Sequence, residues 1–202
     1  MKSLAISLLI MGITFIGCNK KTQEVKENGI PDTTALVVAA VTPKFAFVAS
    51  DSFKVVLGKV YEGYVEIESA LAHDDFEKAK EAFNGMHAIL HMVPTDGLDS
   101  SGKAYWNSLN DSIMSVLHPM AGAENIAAMR NYLVDFTPMV ISALEKFGAH
   151  SKLDAYVFHC PMVRKNQGAN WIQGDSVLLN PYYGKSMATC GSMVRKIDLT
   201  GT

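Results

Sequence analysis

A helical repeat of apolar side chains runs through the middle of the chain, from Ser52 to Gly148, and constrains the fold more than any other feature. In four successive segments the apolar residues recur three and four positions apart, which places them on one face of a helix. The four faces consist of Val56, Val60, Tyr64, Ile67 and Leu71, then Phe76, Ala79, Phe83, Met86 and Leu90, then Trp106, Leu109, Ile113, Val116 and Leu117, then Ile126, Met129, Leu133, Phe136, Val140, Leu144 and Phe147. Residues 51–148 are therefore predicted to form an antiparallel four-helix bundle of the all-α class.

Local sequence also predicts where these helices begin and end. Asp74 followed by Glu77 resembles a capping box, so the second helix is expected to start there. The third helix is expected to close before Pro119, because proline lacks the N–H that a helix interior uses. Pro138 is expected to kink or split the fourth helix, with Thr137 capping its second part.

The start of the chain has the pattern of an export signal. The apolar run from Leu4 to Ile16 is about 13 residues long, whereas a membrane-spanning helix needs roughly 20. Residues 1–17 are therefore predicted to be a signal peptide. The sequence around Cys18 resembles the lipobox of bacterial lipoproteins, and the resemblance implies a lipid on Cys18. The alternative is an ordinary secretory signal with a chance cysteine.

Two consequences follow for location and domain organisation. A lipid on Cys18 would anchor the protein in the cell envelope, at the outer membrane or on the periplasmic face of a membrane. Residues 18–50 are interpreted as the lipidated tether, with a polar part from Asn19 to Thr34. Within the tether, residues 35–50 carry short apolar runs that do not decide between helix and strand.

Residues 149–202 differ from the bundle in composition. Prolines and glycines interrupt this region, and the pieces Ala155 to Phe158 and Trp171 to Gln173 favour strands. We therefore expect a loop-rich appendage, with one small β-hairpin at most, packed on the bundle.

Sulfur ligands are concentrated in this appendage. With Cys18 assigned to lipid, Cys160 and Cys190 remain, and an exported pair of thiols forms a disulfide, a metal site, or both in different states. Met162 follows Cys160 by two positions, and Met187 precedes Cys190 by three. Thiolates and thioethers are soft donors that select Cu(I), so a Cu(I) site is predicted. On chemical grounds alone, its further ligands would be His159 and Met193.

The blocks in this region resemble the end of a bacterial family of unknown function. Its members occur as free periplasmic lipoproteins, mostly in Bacteroidetes, and as a domain appended to CusB-type copper and heavy-metal efflux adaptors. The resemblance implies a helical bundle, a link to metal handling and an efflux adaptor or other envelope protein as partner, with no established activity. It supports Cys160, Met162, Met187 and Cys190 as the ligands. The matching blocks are Cys160-Pro161-Met162, Gly168-Ala169-Asn170-Trp171, Asn180-Pro181-Tyr182-Tyr183-Gly184, Met187 and Cys190-Gly191.

A second, weaker metal candidate lies on the second predicted helix. His87 and His91 are four residues apart and therefore share a helix face, a spacing that can hold a metal ion. Partly exposed histidines beside a core made by Met86 and Leu90 explain the pattern equally well. His118 falls at a predicted helix end, where the helix dipole alone accounts for it.

Charge and motifs exclude other functions. A net charge of −2 leaves no basic face for a phosphate backbone, so nucleic acid is not an expected partner. The chain has no glycine-rich phosphate loop, no Gly-x-Ser-x-Gly elbow and no His-Glu-x-x-His helix, so we predict no enzyme. The main alternative to metal binding is a protein-interaction module of an envelope complex, with Cys160 and Cys190 joined in a structural disulfide.

Overall fold

The computed structural model describes residues 45–201, which are mostly helical with one small antiparallel sheet. The elements are α1 (Asp51–Ala72), α2 (Phe76–Leu90), α3 (Ser100–Ala121), α4 (Ile126–Phe147), β1 (Ala155–Cys160), the four-residue turn α5 (Val163–Asn166), β2 (Ala169–Gln173), a 3-10 helix (Gly184–Met187) and β3 (Ser192–Ile197). The prediction of a mainly helical fold is confirmed. The all-α class is too narrow, because the C-terminal residues form a three-stranded sheet.

The four long helices contact one another in a closed order. Each helix packs on the next along the chain, and α1 also packs on α4, which is the contact pattern of an up-and-down bundle. Phe53, Trp106 and Phe147, from three different helices, meet at ring-centroid distances of 4.9 to 6.0 Å. The apolar faces predicted from the sequence supply most of this core.

Two helix ends differ from prediction by a few residues. The cap of α2 is Asp75, whose carboxylate accepts the Lys78 N–H at 3.0 Å, and Asp74 lies in the loop with a positive φ of 60°. Asp74 instead forms an ion pair with Arg130 of α4. Helix α3 continues through Pro119 to Ala121, so the prediction that it closes before Pro119 is wrong.

Pro138 does not split the fourth helix, which runs unbroken from Ile126 to Phe147. Thr137 is buried within the helix instead of capping its second part. Its hydroxyl donates to the Leu133 carbonyl at 2.8 Å and accepts a hydrogen bond from the Tyr64 hydroxyl at 2.7 Å. Thr137 therefore links α4 to α1 beside the proline.

Residues 45–50 pack on the bundle ahead of α1. The Phe47 N–H donates to the Lys146 carbonyl, and the Phe47 ring contacts Phe147 at 5.2 Å. Ala49 forms an isolated antiparallel bridge with Leu98. The folded part of the chain thus includes the end of the region interpreted as tether. The predicted signal peptide, Cys18 and residues 19–44 lie outside the described residues.

The sheet has the order β2-β1-β3, with β1 in the middle, where only one hairpin was expected. Along β1 and β2, Val157 pairs with Ile172 and Phe158 pairs with Trp171. Side chains of successive residues point to opposite faces, and all four of these residues are buried. Both faces of the paired strands β1 and β2 are therefore covered. The third strand was missed because its residues are mostly exposed and carry no alternating pattern.

The sheet is joined to the bundle by tyrosine hydroxyls of α1. Tyr61 donates to the Asp154 carbonyl, and the Ile172 N–H donates to the Tyr64 hydroxyl at 3.3 Å. Among residues 45–201, no helix combines the length and the apolar character needed to cross a bilayer.

Candidate functional site

The two cysteines of the C-terminal segment lie side by side as free thiols. Cys160 is the last residue of β1 and is buried, and Cys190 lies in the turn before β3 and is half-buried. Their Sγ atoms are 3.4 Å apart. Contact with the Cys160 thiol and partial burial raise the pKa of the Cys190 thiol. The fold thus joins the two sulfur atoms that the sequence separates by 30 positions.

This separation suits two kinds of chemistry. A disulfide needs about 2.05 Å between the sulfur atoms. Two thiolates on one tetrahedral ion at a metal–sulfur distance of about 2.3 Å lie about 3.8 Å apart. The observed 3.4 Å falls between these values, so a bound metal ion needs the sulfur atoms to separate by about 0.4 Å, whereas a disulfide needs them to approach by about 1.4 Å.

Asn180 fixes the backbone that carries Cys190. Its side chain is fully buried, and its Nδ2 donates to the Cys190 carbonyl at 2.6 Å. Its Oδ1 accepts the N–H groups of Tyr182 at 2.8 Å and Tyr183 at 3.2 Å. Its own N–H donates to the Ala188 carbonyl at 2.8 Å. Asn180 therefore closes the loop 180–190 on itself and sets the position of the second thiol.

An arginine on the bundle holds the same loop from outside. Arg130 on α4 donates through Nε to the Pro181 carbonyl at 2.7 Å and through Nη2 to the Leu71 carbonyl at 2.6 Å. Its Nη2 also pairs with Asp74 at 2.6 Å, and Asp74 accepts the Lys185 N–H at 3.1 Å. The hydrogen bond from Arg130 is the main cause that lowers the pKa of Asp74. These contacts join α1, α4 and the cysteine-bearing loop.

Gly191 brings the turn close to β1. Its φ is +135°, and a Cβ there would lie 2.7 Å from the His159 carbonyl oxygen and 2.8 Å from the Trp171 ring. Trp171 stacks on Phe158 at 5.4 Å and meets Tyr182 edge-on at 5.9 Å. A side chain at position 191 would push the turn away from the strand, so glycine is required for the close approach of Cys190 to Cys160.

The three predicted methionine ligands occupy different surroundings. Met187 ends the 3-10 helix, half-buried, and its carbonyl accepts the Cys190 N–H at 3.0 Å, so both residues belong to one turn. Met162 is 40% exposed, and its carbonyl accepts the Tyr183 hydroxyl. Met193 is 44% exposed and pairs with Phe158 across β1 and β3. Met187 is therefore the predicted methionine that shares its local structure with a thiol.

His159 lies apart from the thiol pair. In β1 it precedes Cys160, so its side chain projects from the opposite face of the strand. Its Nδ1 is 2.8 Å from Asn170 Oδ1, and the ring lies over Gly168, where an added Cβ would be 2.6 Å from it. The structure does not bring His159 to the sulfur atoms.

The second candidate, His87 and His91, lies on the bundle. The two rings are 4.8 Å apart between centroids. His118 lies on α3, and its position at the helix end was explained above by the helix dipole. Its ring centroid is 6.3 Å from that of His87. Across residues 45–201, no group of three or more His, Cys, Asp or Glu side chains is arranged as it stands to hold a metal ion. That statement does not include methionine, whose thioether sulfur is a further kind of metal ligand.

Sequence reasoning missed the residues that position the thiols. Asp74 was interpreted only as a helix cap, and Asn180 was named only within a block of the family resemblance. No role in positioning the thiols was predicted for Arg130. A buried hydrogen-bonding role is not visible in a single sequence, because it depends on contacts between residues more than 50 positions apart, such as Arg130 with Pro181 and with Asp74.

Residues 60–152 match the family described as "Protein of unknown function (DUF3347)". The match covers α2, α3, α4 and most of α1, and it ends before β1. It therefore supports a helical domain of a family without assigned function and does not extend to the cysteine and methionine blocks. No curated protein and no solved structure matches the chain.

Proposed function

We propose that this protein binds Cu(I), or a related soft metal ion, through Cys160 and Cys190, as a metal carrier or an accessory to heavy-metal efflux. The observation that carries the proposal is the pair of free thiols with their sulfur atoms 3.4 Å apart. Thiolates favour Cu(I) over hard ions such as Mg²⁺ or Ca²⁺. Binding replaces the thiol protons, so the affinity rises with pH.

Two further features support a metal ion over two unrelated thiols. The loop with Cys190 is held by Asn180 and Arg130, so the second ligand is placed before any metal arrives. Preorganised ligands bind more tightly because less conformational entropy is lost on binding. Met187, in the same turn as Cys190, is the thioether we propose as third ligand, with Met162 and Met193 as exposed alternatives.

The test is a competition titration of the full chain against a Cu(I) chelator under reducing conditions. We expect one Cu(I) per chain. Cys160→Ser and Cys190→Ser should each weaken binding by at least about 100-fold, because losing a ligand costs more than the 10- to 100-fold typical of outer-shell changes. Met187→Leu should weaken it less, and Met139→Leu on α4 serves as the matched control. Unchanged affinity in both serine variants would refute the site.

The same contact between sulfur atoms also favours a second function, a disulfide-stapled interaction module of an envelope complex. This alternative predicts no free thiols in protein isolated from its own compartment, and no change in stability when Cu(I) is added after reduction. Counting thiols before and after a reductant, followed by the Cu(I) titration, separates the two. A loop of about 30 residues closed by a disulfide contributes on the order of 3 kcal/mol.

We also propose that the protein is anchored in the cell envelope by a lipid on Cys18 and works beside an efflux adaptor. The support is the lipobox-like sequence at Cys18 and the family resemblance of the C-terminal blocks. Labelling of cells with a radioactive fatty acid tests the anchor. The label should appear on the wild-type chain and be absent from Cys18→Ser, while Cys160→Ser, the control, should retain it.

A further inference from the structure

Three imidazole rings meet on the bundle, away from the thiol pair. His87 lies in the last turn of α2, His91 caps that helix, and His118 lies in the last turn of α3. The ring centroids of His87 and His91 are 4.8 Å apart, and those of His87 and His118 are 6.3 Å apart. Two helices thus place half of the chain's six histidines around one position.

His87 is the central ring of this cluster. Its Nε2 is buried and has no hydrogen-bond partner within the protein. A buried polar atom without a hydrogen-bond partner lowers the stability of the fold unless a group from outside the chain satisfies it. The ring is held in place by stacking on Phe83 at 5.5 Å with an interplanar angle of 17°.

His87 lies near both other rings, but the three rings share one ion only after side-chain rotation, because no such group among residues 45–201 is arranged for a metal ion as it stands. In a tetrahedral site with metal–nitrogen distances of about 2.0–2.1 Å, imidazole centroids lie about 5 Å apart. The observed 4.8 and 6.3 Å lie on either side of this value. His91 and His118 are exposed, so each can turn toward His87 by rotation of its side chain without disturbing the core.

We propose that His87, His91 and His118 bind one divalent transition-metal ion, of the class of Zn²⁺ or Cu²⁺, at a site separate from the thiols. Neutral imidazole suits these borderline ions, whereas thiolate and thioether select Cu(I). Three protein ligands leave one position of a tetrahedral ion for water or an exchangeable ligand. The fourth ligand of the bound ion would therefore be exchangeable.

The test uses Zn²⁺ and the full chain carrying Cys160→Ser and Cys190→Ser, so that the thiols contribute nothing. Isothermal titration calorimetry should show one Zn²⁺ per chain. His118→Ala and His91→Ala replace exposed side chains, so the fold is retained, and each should weaken binding at least 10-fold. His150→Ala and His73→Ala, two other exposed histidines, should change the affinity less than twofold.

A spectroscopic measurement makes the test specific for His87. In ¹⁵N NMR spectra, one equivalent of Zn²⁺ should shift a ring nitrogen of His87 and leave His150 unchanged. Absence of saturable binding to the double-serine chain, or equal affinity in that chain with and without His118→Ala, would overturn the proposal. Because the thiols are absent in this background, failure here leaves the Cu(I) proposal standing, and failure of the Cu(I) titration leaves this one standing.

Discussion

The helical bundle and the C-terminal segment, residues 149–201, differ in how completely their buried polar groups are hydrogen-bonded. In the segment, Asn180 and Gln173 are buried, and each uses both its amide oxygen and its amide nitrogen in hydrogen bonds. The bundle instead holds all of the buried side-chain oxygen and nitrogen atoms that lack a partner within residues 45–201. These atoms are Glu68 Oε1, His87 Nε2 and Asn110 Oδ1.

This difference explains why the two candidate sites are built differently. Directional hydrogen bonds fix one arrangement of the segment, so its two thiols can be placed in contact without help from a ligand. The bundle is held mainly by apolar packing, and a buried polar atom without a partner makes it less stable. The histidine cluster lies where one such atom remains available. Substitutions of buried polar residues in the two regions test this difference in hydrogen bonding.

Asn180→Ala should be the most damaging single change to the segment. It removes the acceptor of two N–H groups and the donor to the Cys190 carbonyl. With these buried groups left unpaired, we expect the free energy of unfolding to fall by about 3 kcal/mol, measured by urea denaturation. Asn107→Ala, at an exposed position of α3, should change it by less than about 0.5 kcal/mol. Equal effects at the two positions would remove Asn180 as the centre of the network.

Arg130→Gln should have the next largest effect, about 2 kcal/mol, because Arg130 makes three hydrogen bonds from a mostly buried position. The matched control is Arg164→Gln. Arg164 pairs with Asp135 at the surface, and such pairs contribute about 0–1 kcal/mol. Thermal unfolding of both variants gives the comparison, and an Arg164→Gln loss as large as that of Arg130→Gln would contradict it.

The ion pair between Arg130 and Asp74 should stabilise the fold less at low pH. Arg130 lowers the pKa of Asp74, so the stabilising contribution is fully present above the unfolded carboxyl value of about 3.9 and is lost as the pH falls through the lower folded value. The difference in unfolding free energy between wild type and Arg130→Gln should therefore shrink below about pH 4. A difference that stays constant down to pH 2 would show that the ion pair with Asp74 contributes nothing.

The sequence predicted the two regions to different extents. Helical spacing alone identified the faces of α1 to α4 and the pairing of His87 with His91, because both depend on contacts three or four residues apart. It identified Cys160 and Cys190 as candidates but placed His159 beside them, which strand alternation contradicts. His118 was not grouped with His87 and His91, and Asp74 was predicted only as a helix cap, because their contacts join segments that lie far apart in the sequence. The hydrogen bonds of Asn180 are to residues within ten positions, but a single sequence does not show that its side chain is buried.

Glu68→Gln tests how a buried carboxyl group affects the stability of the bundle. Its effect on the free energy of unfolding should appear only as the pH rises. Burial, with a further contribution from Asp175, raises the pKa of Glu68 well above its usual range. The folded chain therefore keeps a proton that the unfolded chain releases near pH 4.3, so stability is full below that value and declines as the pH rises toward the folded pKa. Glutamine cannot ionise and removes this decline. We expect Glu68→Gln to match wild type at pH 4 and to become more stable than wild type as the pH rises to 8, by about 1.4 kcal/mol for each unit by which burial raises the folded pKa.

The control for this last change is Glu66→Gln, two residues away on the exposed side of α1. Glu66→Gln should change the free energy of unfolding, measured by urea denaturation at pH 4 and pH 8, by less than about 0.5 kcal/mol at either pH. If Glu68→Gln keeps the wild-type slope, the Glu68 carboxyl is ionised and solvated in the folded chain. Glu68 would then no longer count as a buried group without a partner. The contrast between the bundle and the C-terminal segment would rest on His87 and Asn110 alone.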